Sequence, residues 1–429
     1  MDRLSGACTG DTIRVMIRRC RGTLVSDERR VQEALLRMGA GRPITRRDFI
    51  RRSSLAGLIV GAPGLLSACG TDAAQQSGDS CVSTDLSATE KSLFFSNWPE
   101  YIDVARHGRV MPTLDAFRET TGIDVKYNAD INDNNEFFAK VQNQLADCQA
   151  VGRDIFVLTD WMAAKMINLG WLQKLDHANL PNVDANLRAV LKGPAWDPER
   201  EYSVPWQSGL TGIAYNAAYT AEVGSMSQLM TRADLKGKVS LLSEMPDTMG
   251  FMLKITGADP EAFSEDEWAA AIAQLEEHVA SGQIRRFTGN DYVDDLNAGN
   301  LVACEAWSGD VIAMQYDNPD IKWVLPEEGV GLWSDNMLVP NKATHKANAE
   351  ALMNHYYDPA VAAELAAWVN YICPVDGARE SMEDIDPSLV DNQLIFPDEE
   401  FLSSTWEFMD LEDTQQTQYD TDFSRAVGA

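Results

Sequence analysis

Short apolar runs alternate with amphipathic segments along most of this chain, and that alternation restricts the folds open to it. Ser92-Leu93-Phe94-Phe95-Ser96, Ile123-Asp124-Val125-Lys126-Tyr127, Asp154-Ile155-Phe156-Val157-Leu158, Lys238–Leu242 and Leu301–Ala306 read as strands. Met111–Thr120, stopped by Gly122, and Phe137–Ala146, with Asn134 and Asn135 as candidate caps, read as helices between them. Strands separated by helices predict an α/β fold with largely parallel sheets. In such sheets ligands bind beyond the carboxyl ends of the strands.

Those ends are therefore the places to look. The first strand runs into Asn97-Trp98-Pro99-Glu100-Tyr101, where proline ends the ladder and forces a turn. Thr159 and Trp161 follow the third strand, Glu244 and Asp247 the Lys238 strand, and Trp307 the Leu301 strand. A lone tryptophan is most often core, so what matters is the joint recurrence of aromatics and acids at strand ends. A chain of methylenes carrying ammonium groups needs both kinds of residue. Aromatic faces cover methylenes and attract cations by about 0.5–2 kcal/mol each, and carboxylates compensate an ammonium withdrawn from water. Trp98, Tyr101, Trp161, Trp307, Trp333 and Tyr371 are candidate faces, and Glu244, Asp247 and Asp335 candidate charges. The same residue types suit a secreted glycan hydrolase, whose aromatics stack sugars and whose paired acids act on them.

The first seventy residues read as an address. Thr45-Arg46-Arg47-Asp48-Phe49 has the twin-arginine export pattern, Leu55–Ala62 is apolar but too short to span a bilayer, and Leu66-Ser67-Ala68-Cys69 is similar to a lipobox whose cysteine takes lipid. Met38 is a candidate start. Residues 1–69 are thus assigned to the signal region and 70–88 to a flexible Gly/Ser/Ala/Gln tether, leaving about 340 residues, enough for two domains.

Charge and cysteine usage narrow the partners. Of 36 basic and 65 acidic side chains, residues 1–68 carry 13 and 6, leaving 23 and 59, a balance of −36. Such a field repels nucleic acid and concentrates cations, although solubility alone also accounts for it. Cys81, Cys148, Cys304 and Cys373 are available for disulfides whose pairing the spacing leaves open. The five histidines are scattered without ligand spacing, Asp130–Glu136 lacks the glycine of a calcium loop, and no phosphate loop or nucleophile elbow occurs. No metal or cofactor is expected.

Leu93–Tyr101, Tyr202-Ser203-Val204-Pro205-Trp206, Ile213-Ala214-Tyr215-Asn216, Leu235–Val239 and Trp323–Gly329 running into Leu332-Trp333-Ser334-Asp335 resemble the periplasmic spermidine/putrescine-binding proteins of ABC importers. The likeness covers nearly all of residues 90–380. It implies a two-lobe periplasmic-binding-protein fold, each lobe a mostly parallel sheet flanked by helices, with a ligand cleft between. Residues 90–211 and 335–379 would form one lobe, 212–334 and 380–429 the other. It further implies that Trp98, Tyr101, Trp161, Trp307, Trp333 and Tyr371 form an aromatic box, with Trp161 in place of a tyrosine and Thr159 in place of a serine. Asp335 would grip an amine, Glu244 and Asp247 would form a second acidic pair with Asp and Glu exchanged, and Glu407 would stand at a polar amide position. The implied protein is a monomeric transport receptor without chemistry of its own, handing a polyamine to a membrane permease from the periplasm. The same fold also serves other small solutes.

Overall fold

The computed structural model describes residue 81, residues 83–105 and residues 110–428. The expected export signal, with Arg46, Arg47 and the lipidation candidate Cys69, lies outside the described residues.

The strands are β1 (Ser92–Asn97), β2 (Asp124–Ala129), β3 (Ile155–Thr159), β4 (Ser203–Asn216), β5 (Val239–Leu242), β6 (Ile284–Thr288), β7 (Ala303–Trp307), β8 (Ile321–Val324), β9 (Val330–Leu338) and β10 (Thr405–Trp406). They join in the order β2-β1-β3-β9-β4-β7-β5-β6, with β10 beside β9 and β8 beside β4. The α/β expectation holds, and the five strands read from sequence are β1, β2, β3, β5 and β7. At each end of this order the strands are parallel: β2, β1 and β3 in one wing, β7, β5 and β6 in the other. In the middle, β9 runs antiparallel to both β3 and β4, and β4 antiparallel to β7.

That reversal positions the site. β3 ends with Thr159 paired to Asp335, which itself pairs with Gln207, while β7 ends with Trp307 paired to Thr211. The carboxyl ends of the two wings thus point at one another across four residues of β4, roughly 13 Å. Two cores hold the sheet: one, centred on Phe95, Phe117, Phe137 and Phe156, underlies the β1–β3 wing and runs on to Leu242, Tyr292 and Trp307 of the other, and a second, centred on Leu241, Met249, Phe251 and Leu275, lies within the β5–β7 wing.

Local structure follows the residues that begin and end each element. The helix Asn134–Ala146 is capped not by Asn134 or Asn135 but by Asp133, whose side chain accepts from the Glu136 N–H at 2.9 Å. Aspartate is as good a cap as asparagine, and placing it one residue earlier frees Asn134 for other contacts. The helix Glu265–Ser281 opens on a reciprocal capping box between Ser264 and Glu267 and closes at Gly282 in the left-handed region. Residues 83–88, expected as the end of the tether, hydrogen-bond to the body. Leu86 N–H donates to Thr344 O at 2.7 Å, and the Asp85 and Ser87 side chains accept from Ala347 and Asn348 N–H.

Cys81 is joined to Cys148 across a separation of 67 residues, while Cys304 and Cys373 are free and buried. The bridge ties the start of the described body to the carboxyl end of the Asn134–Ala146 helix. Closing a loop of that length in the unfolded chain is worth on the order of 4 kcal/mol. Replacing Cys148 with alanine should lower the unfolding free energy in urea by about 2–4 kcal/mol. A midpoint unchanged from the oxidised wild type would show that the bridge does not constrain the unfolded chain.

Candidate functional site

The turn after β1 places the first two rings. Asn97 accepts from Trp98 N–H at 2.9 Å through its side-chain oxygen, and its amide group reaches Tyr101 O at 3.4 Å. Glu100 takes a positive φ of 53°, which bends the chain back so that Tyr101 follows Trp98 into the same space. The Trp98 indole donates to Val157 O at 3.0 Å and the Trp206 indole to Tyr101 O at 3.3 Å, fixing the turn to β3 and β4.

Every strand of the two parallel wings except β2 then delivers residues to one cavity. Thr159 and Trp161 come from the end of β3, Glu244 and Asp247 from β5, Asn290 from β6, and Trp307 and Asp310 from β7. Trp333 and Asp335 come from β9, and Tyr371 from the segment after the helix Pro359–Val369. With Pro99 and Pro246, these side chains line one cavity that is partly open to solvent. Ten of the eleven residues singled out in the sequence meet there. Glu407 does not: it is exposed and lines the much larger groove that adjoins the cavity along Thr159, Trp161, Asp247 and Trp333. Its strand, β10, is added beside β9 rather than at a wing's carboxyl end.

The rings form a connected wall. Tyr101 meets Tyr371 at 5.0 Å between centroids, Tyr371 meets Trp333 at 5.7 Å, Trp333 meets Trp307 at 6.2 Å and Trp307 meets Trp98 at 6.0 Å. Three of these pairs cross at 71–80°, an edge-to-face arrangement that aromatic pairs favour, and Trp333 is tilted at 57° to Tyr371. Two glycines make the wall possible. A Cβ on Gly209 would fall on the Trp333 indole, and one on Gly309 would fall on the Tyr371 ring.

Against this wall stand four carboxyl groups, and the lining includes no lysine, arginine or histidine among the described residues. Asp310 accepts from Tyr292 and Tyr371 hydroxyls at 2.8 and 2.9 Å and from Asn290 at 2.8 Å. Asp335 accepts from the Thr159 hydroxyl at 2.8 Å. The Tyr101 hydroxyl interacts electrostatically with Asp335 but stands outside hydrogen-bonding geometry with any group. Thr211 takes the Trp333 indole N–H at 2.9 Å and donates to Asp247. Glu244 accepts two bonds on Oε1, from Asn134 N–H at 2.7 Å and its side-chain amide at 3.0 Å, while buried Oε2 has no partner.

Burial drives these groups towards neutrality. It raises Asp335 to about 7 and Asp247 and Asp310 to about 6, in each case against the hydrogen bonds just described. Glu244 is pushed well above the carboxylate range by burial first and the neighbouring Asp133 second. The arrangement is an acidic, aromatic slot suited to holding cations.

Asp310 and Asn290 escaped the sequence reading. The signal for Asp310 was present: it stands three residues after Trp307 in the first turn of a helix, as Asp247 stands three after Glu244.

The profile of the bacterial extracellular solute-binding proteins matches residues 113–392. The chain is 25% identical over 315 residues to a spermidine/putrescine-binding periplasmic protein of Escherichia coli, covering 73% of this chain and 85% of that protein. It is 26% identical to a putrescine-binding periplasmic protein of Pseudomonas aeruginosa, covering 76% and 88%. Among solved structures, a spermidine/putrescine ABC transporter substrate-binding protein of Streptococcus pneumoniae aligns with a TM-score of 0.62 at 21% identity, over 78% of this chain and 98% of that one. A binding protein of Agrobacterium tumefaciens in complex with agropinic acid aligns with a TM-score of 0.61 at 16% identity, over 79% and 99%. These neighbours are two-lobe binding proteins, and the present chain shares that architecture.

The raised carboxyl groups carry a stability cost with a definite sign. Because their native pKa values lie above the unfolded value near 3.8, the native chain binds more protons than the unfolded chain between about pH 4 and 7. Stability therefore falls as pH rises through that window. The unliganded protein should melt at a higher temperature at pH 5.5 than at pH 8. Asp335→Asn, which keeps the shape and removes the charge, should recover on the order of 1–3 kcal/mol at pH 8, a few degrees in Tm. An Asn variant with the wild-type difference between the two pH values would place the penalty on other groups.

Proposed function

The chain belongs to the bacterial extracellular solute-binding protein family, and from that premise we propose that its cleft captures a polyamine, spermidine or putrescine, for an ABC importer. The observation that carries this reading is the lining: Glu244, Asp247, Asp310 and Asp335 converge on one cavity that no basic side chain enters among the described residues. Withdrawing a carboxylate from water costs several kcal/mol unless a cation answers it. A polyamine brings two or three such cations on a spine whose methylenes fit the wall of Trp98, Trp307, Trp333, Tyr371 and Tyr101. Trp161 and Thr159 border the same space, and Glu407, on the adjoining groove, would meet the far end of a longer ligand. Relatives named for spermidine and putrescine support the reading.

In this reading, residues 90–211 with 335–379 and 212–334 with 380–429 act as lobes that hinge on β4 and β9, and ligand touching both favours the closed state. The protein works as a monomer in the periplasm, exported through its twin-arginine leader, held to the membrane by lipid on Cys69, and releases its cargo to a permease.

Intrinsic tryptophan fluorescence tests the ligand class directly, because four tryptophans line the cavity. Titrations with spermidine, putrescine, 4-aminobutyrate and maltose should give responses to the two polyamines, with spermidine the tighter because it engages a third carboxylate. Affinity for spermidine should fall as pH is lowered from 8 to 5, since protons compete for Asp335, Asp247 and Asp310. A response to maltose and to neither amine would overturn the reading. By calorimetry, Asp335→Asn should weaken spermidine binding by about 2–5 kcal/mol, as expected for truncating one member of a buried charge pair. Unchanged affinity would move the central charge to another residue.

A further inference from the structure

Asn134 lines no part of the cavity, yet it touches groups on both of its acidic sides. It is 1% exposed and occupies the first position of the Asn134–Ala146 helix in the β1–β3 wing. Its main-chain N–H and its side-chain amide both reach Glu244 Oε1, which belongs to the opposite wing, at 2.7 and 3.0 Å. The same amide nitrogen lies 2.8 Å from Thr159 Oγ1, and its amide oxygen accepts from Thr159 N–H at 3.2 Å. The Thr159 hydroxyl then donates to Asp335 at 2.8 Å.

The hydrogens in this chain are fully assigned. An asparagine amide has two N–H bonds, one for Glu244 and one for Thr159, and the threonine hydroxyl has a single hydrogen, given to Asp335. Glu244 is therefore an acceptor on the oxygen that faces Asn134, and Asp335 on the oxygen that faces Thr159. The main-chain N–H is one of the donors that a helix leaves free at its first turn, where the helix dipole also favours negative charge. One oxygen of Glu244 is thus satisfied by the opposite wing, and the other, buried Oε2, is left without a partner.

Two further contacts follow the same seam. The Ser243 hydroxyl donates to Asp133, and the Asn132 carbonyl lies so close to Gly289 that a Cβ there would collide with it. Residues 132–134 are consequently a contact that exists only while the wings are together.

We propose that Asn134 is a positioning residue that couples cation capture to closure of the cleft. It holds Glu244 by one oxygen so that the other stays free for a ligand ammonium, and it holds Asp335 in register through Thr159. This rests on the polyamine reading of the cavity. A ligand ammonium compensates the buried Glu244 and Asp335 carboxyl groups, and Asn134 makes that compensation depend on the closed arrangement.

Asn134→Ala removes the side-chain bonds, and Asn134→Asp sets a third carboxyl group against Glu244. Spermidine affinity should fall at least tenfold in the alanine variant and further in the aspartate variant. The ligand-induced decrease in radius of gyration by small-angle scattering should shrink, while the Tm of the unliganded protein stays within a few degrees of wild type. A merely structural role is separated by a double-mutant cycle with Glu244→Gln. If Asn134 acts through Glu244, the Asn134→Ala, Glu244→Gln double variant should bind little worse than the weaker single variant. Additive losses would overturn the coupling, as would affinity within twofold of wild type in both single variants. Absence of any spermidine binding by the wild-type chain would instead overturn the polyamine reading, and the coupling with it.

Discussion

The hydrogen-bonded pairing of β4 with β9 sets the geometry on which the rest depends. Both are long, and their register brings Gln207 opposite Asp335, Gly209 opposite Trp333 and Thr211 opposite Gly331. Because β9 is antiparallel to β3 and β4 to β7, two parallel wings that would each end in solvent are aimed at one another. The residues that follow a parallel strand are free of the ladder and able to carry polar side chains. Here several such ends share one space, so acids and rings from sequence-distant turns converge without any loop having to cross the sheet.

That convergence sets a conflict between stability and binding. Four carboxyl groups in one buried slot are costly to ionise, chiefly through burial, and the chain answers with neutral donors rather than with arginine or lysine. Tyr292, Tyr371 and Asn290 attend Asp310, Thr159 attends Asp335, and Thr211 attends Asp247. Neutral donors orient a carboxylate without cancelling its charge, so the attraction for an incoming cation survives. A lysine in the wall would have stabilised the empty protein and removed the reason for binding. Glu244 shows the same economy in one side chain, with one oxygen bonded to the protein and the other left open.

The rings contribute rigidity as well as area. Each touches the next at a steep angle, so displacing one disturbs its neighbours, and the smallness of Gly209 and Gly309 is what lets Trp333 and Tyr371 lie against the backbone. The turn at Trp98–Tyr101 depends on Asn97, fully buried, whose side chain meets both the start and the end of the turn.

Local pattern in the sequence was sufficient for the α/β class, for β1, β2, β3, β5 and β7, and for the rule that aromatics and acids just beyond strands are the candidates. This follows because strand period, helix period and the Asn-Trp-Pro stop are properties of neighbouring residues. The central strand Ser203–Asn216 is different. It is buried along almost its whole length, so no alternation marks it, and its paired residues lie 88 or more positions away. The cap at Asp133 and the freeing of Asn134 depended on which of three adjacent polar residues met Glu244, a choice made by the opposite wing. The pairing of Cys81 with Cys148, and the exclusion of Glu407 from the cavity, likewise required knowing which distant segments meet. Sequence by itself determined which chemistry was present at each strand end. Only the tertiary structure decided which ends share a cavity, because that is settled by the antiparallel register of β4 and β9, an interaction between segments that carry no local record of each other.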